Sequence, residues 1–239
     1  MLEILWEDPH GLAVNKPAGL LVHQGAEPSA EPTLEQLVRR DLRPGDPSST
    51  YLGTVHRLDR PVSGVILWAK TPKAAHRWAE QFRDRTIQKV YWALVERDDP
   101  VPLPPGTDWE DWLAPPDRSG LARVMPGPVM GSVHAETSLQ SRVWPQTRSA
   151  RPVQLLEMHP RTGRTHQLRV QAASRGCPIV GDVTYGSRIP FDVGIALHAR
   201  SLTVVHPIRR EPISIKAEPP SSWASWGPGF DLDQDLFSR

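Results

Sequence analysis

The 239 residues carry 28 lysines and arginines against 27 acids, a net charge of +1, so global electrostatics select no class of partner, while the length allows one large or two small domains with a buried core. The single cysteine, Cys177, excludes an intrachain disulfide and a cysteine-built zinc site, and nine histidines show no metal-ligand spacing, so no metal is expected. No apolar run approaches the roughly 18 residues of a membrane span, and MLEILWEDPH lacks the basic start and long apolar core of a signal peptide, so the expectation is a soluble cytoplasmic protein.

Along the chain, LEILWED and GLAVNKPAGLLVH read as short strands joined by a turn at Asp8–Gly11, with NKPAG as a second turn. TLEQLVRRDL reads as a helix with Thr33 as N-cap, Gln36 at the capping-box position, and Leu34, Leu37 and Val38 on one side. A loop around Asp59 precedes VILWA, apolar on both faces and suited to a strand in mid-sheet. TPKAAHRWAEQFRDR gives the clearest helix, with Thr71 as N-cap, Pro72 at the first position and an apolar face of Ala75, Trp78, Ala79 and Phe82. KVYWALVE follows as a strand with Tyr91 on one face and Trp92 on the other.

Prolines crowd the segment from about 99 to 128, which predicts an irregular insertion. Beyond it, ETSLQSRVW and VQLLEMH suit an antiparallel pair, RTHQLRVQAASRG a helix ended by Gly176, and IALHARSLTVVHP and EPISIKAEPP closing strands. The sum is an α+β fold: a mixed, mostly antiparallel sheet with flanking helices, counted as a single domain over 1–239 because no repeat or low-complexity linker divides it.

Charge is unevenly laid out. From Arg142 to Arg175 there are seven arginines (142, 148, 151, 161, 164, 169, 175) and one acid, Glu157, whereas Asp98–Asp117 and the terminal DLDQDLFSR are acidic. Such a layout suits a basic face docking on phosphates. Arginine outnumbers lysine 23 to 5, which fits either bidentate phosphate binding or a GC-rich genome.

HRLDR sets Asp59 between Arg57 and Arg60, open to two readings: a surface ion-pair cluster, or a catalytic carboxylate fixed where a loop enters a buried strand. Tyr91 is a core residue or a ring for stacking on a base. Arg169, inside a helix with apolar neighbours, requires a carboxylate partner if it is buried, and Asp59 is the obvious candidate. HPRTGRTH is either a phosphate nest at a helix start or a plain turn with solvated arginines. The residues alone reach an α/β or α+β domain with an arginine-rich anion-binding face and stop short of a reaction.

HRLDRPVSGVILWAK resembles the signature of the RluA-type RNA pseudouridine synthases, roughly H-R-L-D-x-x-T-S-G-L-L-L-x-A-K. LAVNKPAGLLVH resembles the family's opening strands, QKVYWALVE its tyrosine strand, HPRTGRTHQLRVQAASRGCPIVGDVTYG its second long signature and LHARSLTVVHP its closing motif, all in family order. The opening and the QFRDRTIQKVYWAL stretch look closest to the tRNA-modifying TruC-like branch. The resemblance implies an isomerase that flips uridine out of structured RNA, either tRNA or rRNA, and converts it to pseudouridine without a cofactor or metal; a monomer is the default expectation. It implies that Asp59 is the catalytic aspartate, Tyr91 the ring that stacks on uracil, and Arg169 the basic residue that pairs with the aspartate. Arg57 would enter the RNA stack, His56, Arg164 and His166 would contact RNA, and Leu197 would pack in the active-site floor. The pattern is broken at Val62, where threonine is usual, and at Gln171, where histidine is common. Many relatives begin with a small S4 RNA-binding domain, and this chain is expected to lack it. Two rivals are a glycoside hydrolase, which needs a second placed carboxylate, and a non-catalytic RNA-binding or ribosome-assembly protein on the same fold, for which loss of Asp59 or Tyr91 would be the mark.

Overall fold

The computed structural model describes residues 2–24, 31–97, 103–104, 106–117, 120–143 and 152–226. In chain order its elements are β1 (Glu3–Glu7), β2 (Gly11–Lys16), α1 (Leu34–Leu42), β3 (Gly53–Thr54), β4 (Ser63–Ala69), α2 (Pro72–Arg83), β5 (Gln88–Glu96), β6 (Thr107–Ala114), β7 (Arg123–Met125), β8 (Val133–Val143), β9 (Val153–Pro160), α3 (Gln167–Ser174), β10 (Leu197–Val205) and β11 (Pro212–Lys216). The fold is the α+β arrangement expected. The chain divides into two compact units, Met1–Gln88 with Ala199–Glu218, and Lys89–His198 with Pro219–Arg239.

In the first unit the strands run β1-β2-β4-β10, with β11 on β10 and β3 on β4. All seven residues of β4 are buried, which is why VILWA shows no alternation. Strand period sorts β2 between two faces. Leu12 and Val14 line one cavity with Val38 of α1, whereas Ala13 joins the core of Leu67, Ala69, Ala74 and Trp78 beside α2.

The helices begin where their caps require. Thr33 and Gln36 form a complete capping box on α1, and the Thr71 hydroxyl accepts from Ala74 N–H at the start of α2. The buried line of α2 is Ala74 and Trp78, and Ala79, expected on the apolar face, is exposed. The helix is turned this way because Trp78 packs on Gly11: a Cβ there would lie 2.3 Å from the indole. Gly64 is as tightly constrained. Its φ is +116°, and a Cβ would lie 2.3 Å from the carbonyl oxygen of Ala199 in β10.

In the second unit β5-β9-β8-β6-β7 are successive antiparallel neighbours. The proline-rich segment, expected to be irregular, supplies β6 and β7. Its alternating TDWEDWLA pairs with β8 from Thr107↔Leu139 to Leu113↔Val133, and the turn-forming residues fall outside the strands. Of the expected charge clusters, Arg148, Arg151, the Arg142 side chain, Asp98, Asp99 and the terminal DLDQDLFSR lie outside the described residues.

Candidate active site

Asp59 occupies a turn closed by Val62 N–H donating to Asp59 O at 3.1 Å, and the buried side chains of Leu58 and Val62 anchor it on either side. The NKPAG turn clasps the Asp59 turn. Gly19 N–H donates to Arg60 O at 2.8 Å, and Arg60 Nε donates back to Gly19 O at 2.8 Å. Lys16, with no exposed surface, closes the clasp: its ammonium donates to Pro17 O at 3.0 Å, Leu20 O at 2.7 Å and Arg60 O at 3.1 Å. Burial pulls the Lys16 pKa down to about 7, against the pull of the Asp59 carboxylate, while the Arg60 charge lowers it further.

Lys16 stands in no motif that marks a functional residue in the sequence. The available signal was its strand register, since it follows Leu12 and Val14 on the inward face. Arg60, the other arginine beside Asp59, commits its Nε to the clasp. His56 also braces the loop: Nε2 accepts from Leu67 N–H at 2.9 Å, and the ring stacks on Phe82 with centroids 4.9 Å apart. Arg57 is exposed.

In the second unit Tyr91 lies on β5, half-buried and opposite Met158 of β9. Leu197 is buried at the start of β10. Arg169 is buried in α3, as its neighbours suggested, and the structure supplies a partner that sequence reasoning missed. Asp182 receives Nε at 2.7 Å and Nη2 at 2.9 Å, a bidentate pair in which neither residue is more than 6 % exposed.

Polar side chains are buried along α3. Gln171, the departure from the family pattern, accepts from Thr137 Oγ1 at 2.8 Å and donates to Trp109 O at 3.2 Å and Asp111 Oδ2 at 2.7 Å. Gln167 accepts from the Thr162 hydroxyl at 2.7 Å and from Arg164 N–H at 3.0 Å. That second bond occupies a donor that a phosphate nest in HPRTGRTH would have offered. Arg164 Nε donates to His134 O at 2.9 Å, and His166 precedes α3 in the left-handed region with φ 54°.

Chemically, the first unit offers a partly exposed carboxylate on a rigid turn, and the second a buried guanidinium fixed in plane by its own carboxylate. Among the described residues no group of three or more His, Cys, Asp or Glu side chains is arranged to hold a metal ion.

Comparison with known proteins gives concordant matches. Residues 10–174 match the family model described as RNA pseudouridylate synthase. The tRNA pseudouridine synthase C of Salmonella typhimurium is 34% identical over 93% of this chain and 87% of its own length, and that of Pasteurella multocida is 34% identical over 97% of each. Among solved structures, human RNA Pseudouridylate Synthase Domain Containing 1 aligns with a TM-score of 0.75 at 25% identity, covering 95% of this chain and 89% of that one.

Proposed function

Because the chain belongs to the RNA pseudouridylate synthase family and isomerises uridine to pseudouridine in RNA, we propose that its substrate is transfer RNA and that Asp59 is the carboxylate that performs the reaction. The relatives named tRNA pseudouridine synthase C support that substrate, matching at 34% identity over nine-tenths of the chain or more. The family match runs from residue 10 to 174, through both compact units, which supports counting the chain as one catalytic domain. A monomer working in the cytoplasm completes the proposal; among the described residues no helix is long and apolar enough to cross a membrane.

The reaction breaks the N1–C1′ glycosidic bond, turns the uracil, joins C5 to C1′ and releases the C5 proton. Extruding the uridine costs a few kcal/mol, and exposed Arg57 offsets part of this by filling the vacated stack. Tyr91 holds the flipped base, a contact worth about 1–3 kcal/mol. Asp59 acts as a carboxylate, and Arg169 is the basic residue that the reaction requires. Arg164 and His166 contact the RNA, Leu197 floors the pocket, and His56 acts through the loop that it braces.

The observation that carries this reading is the clasp on the Asp59 turn. A surface ion-pair cluster needs no buried lysine tying its backbone to a neighbouring turn, whereas a carboxylate that must meet one carbon atom needs a fixed approach. The test uses transcripts tritiated at C5 of uridine, one set tRNA and one rRNA. The protein should release tritium from tRNA, and Asp59→Asn should release none while still binding the RNA. Release by Asp59→Asn would remove Asp59 from the chemistry, and release from rRNA alone would overturn the choice of tRNA.

A further inference from the structure

GDVTYG belongs to the second long signature, yet the roles assigned so far leave it unused. Its residues surround Arg169. The Asp182 carboxylate grips one edge of the guanidinium through Nε and Nη2. The Tyr185 ring covers a face, with Cζ 5.0 Å from the ring centroid. The tyrosine is held in turn: its hydroxyl accepts from Ala122 N–H at 3.0 Å and lies 2.9 Å from His166 Nδ1.

The turn that carries both residues is pinned from β5. Glu96 Oε1 accepts from the Ser187 hydroxyl at 2.5 Å, Arg188 N–H at 2.7 Å and Ile189 N–H at 2.9 Å. Gly181 N–H donates to Ile189 O at 2.9 Å, and Asp182 O accepts from both Tyr185 and Ser187 N–H at 3.0 Å. A buried ion pair adds little net stability over apolar residues of the same volume, because desolvation cancels most of the attraction. Its distinctive property is geometric, since two parallel hydrogen bonds and a ring fix the tilt and rotation of a planar cation.

We propose that Asp182 and Tyr185 are positioning residues that set the guanidinium plane of Arg169 for pseudouridine formation. This rests on the assignment of Arg169 to the active site. A loose guanidinium would still let RNA bind but would meet the reacting groups at the wrong angle, so the defect belongs in kcat.

The experiment is tritium release from tRNA at varied concentration, well below the melting temperature of every variant. Asp182→Asn should lose about 100-fold in kcat with KM close to wild type. Asp182→Glu, which restores the charge, should recover part of the loss, and Tyr185→Leu, at a half-buried position, should lower kcat by a smaller factor. A wild-type kcat in Asp182→Asn, or a change in KM alone, would overturn the proposal. If Asp182→Asn does not fold, Tyr185→Leu decides, and a wild-type kcat there overturns it.

A second readout does not need activity. In protein labelled with 15N-arginine, the Arg169 Nε–H signal, identified by its absence in Arg169→Lys, should be slowly exchanging in wild type and lose that protection in Tyr185→Leu. Retained protection would show that the cradle does not hold the guanidinium. An absence of tritium release from the wild type would count against the synthase reading on that RNA, and the exchange measurement would still decide whether the cradle exists.

Discussion

An ammonium group without access to water is stable only where its protons are met, and Lys16 has three carbonyl oxygens for its three N–H bonds. Its pKa is about 7 when folded, against 10.5 for an ordinary lysine, so between those values the unfolded chain binds more protons at this site. Stability from this group therefore rises as pH increases from 7 towards 10.5, and below 7 the folded state bears the full cost of burying the charge. Lys16→Met removes the titration. Urea unfolding of both proteins between pH 6 and pH 9.5 should show wild type gaining on the variant as pH rises, and parallel curves would contradict the assignment. The same residue shows what a sequence leaves unsaid. Its inward register was readable, but its acceptors are backbone atoms of two turns, the farther one 44 positions from the lysine, and no side-chain pattern records a carbonyl.

Elements whose determinants are local were legible. The capping box of α1 and the threonine cap of α2 are contacts across three residues, and both formed as read. Elements set by distant packing were not. The α2 face kept Ala75, Trp78 and Phe82 on the core, but Ala74 took the place of Ala79 where Trp78 rests on Gly11, and the strands in the proline-rich segment required β8 as partner. Gly64 joins both kinds of information: a glycine after the Asp59 turn is plain in the sequence, but its reason is the β10 backbone against it. In Gly64→Ala the new methyl meets a main-chain carbonyl that cannot rotate away, at a φ that L-residues avoid. The expected loss is about 3 kcal/mol or more, read as a lower urea midpoint at unchanged m-value. A variant as stable as wild type would mean that β10 is free to withdraw at that point.

Over the whole molecule, a net charge of +1 leaves RNA affinity to local patches, and the arginine-rich segment 142–175 is the natural place to look. Folding spends part of that charge internally. Arg161 pairs with Glu136, Arg169 with Asp182 and Arg175 with Asp111, each acid arriving from outside the arginine-rich segment or from another element. Counting charge along the sequence overstated the basic face, because partners 13 to 64 residues away enter only once the chain is folded. Arg175 separates the two uses of an arginine. It grips Asp111 with both terminal nitrogens, at 2.9 and 3.1 Å, and lies over the Trp109 ring at 5.0 Å, so its guanidinium serves the fold. Arg175→Gln should therefore leave the slope of log Kd against log salt for tRNA binding unchanged, while lowering stability by about 1–3 kcal/mol through the two charged hydrogen bonds that Asp111 loses. A phosphate-bound arginine gives the opposite pair of results, a slope shallower by about one with stability intact. That outcome would return Arg175 to the RNA-binding surface and leave Asp111 to be held by Gln171.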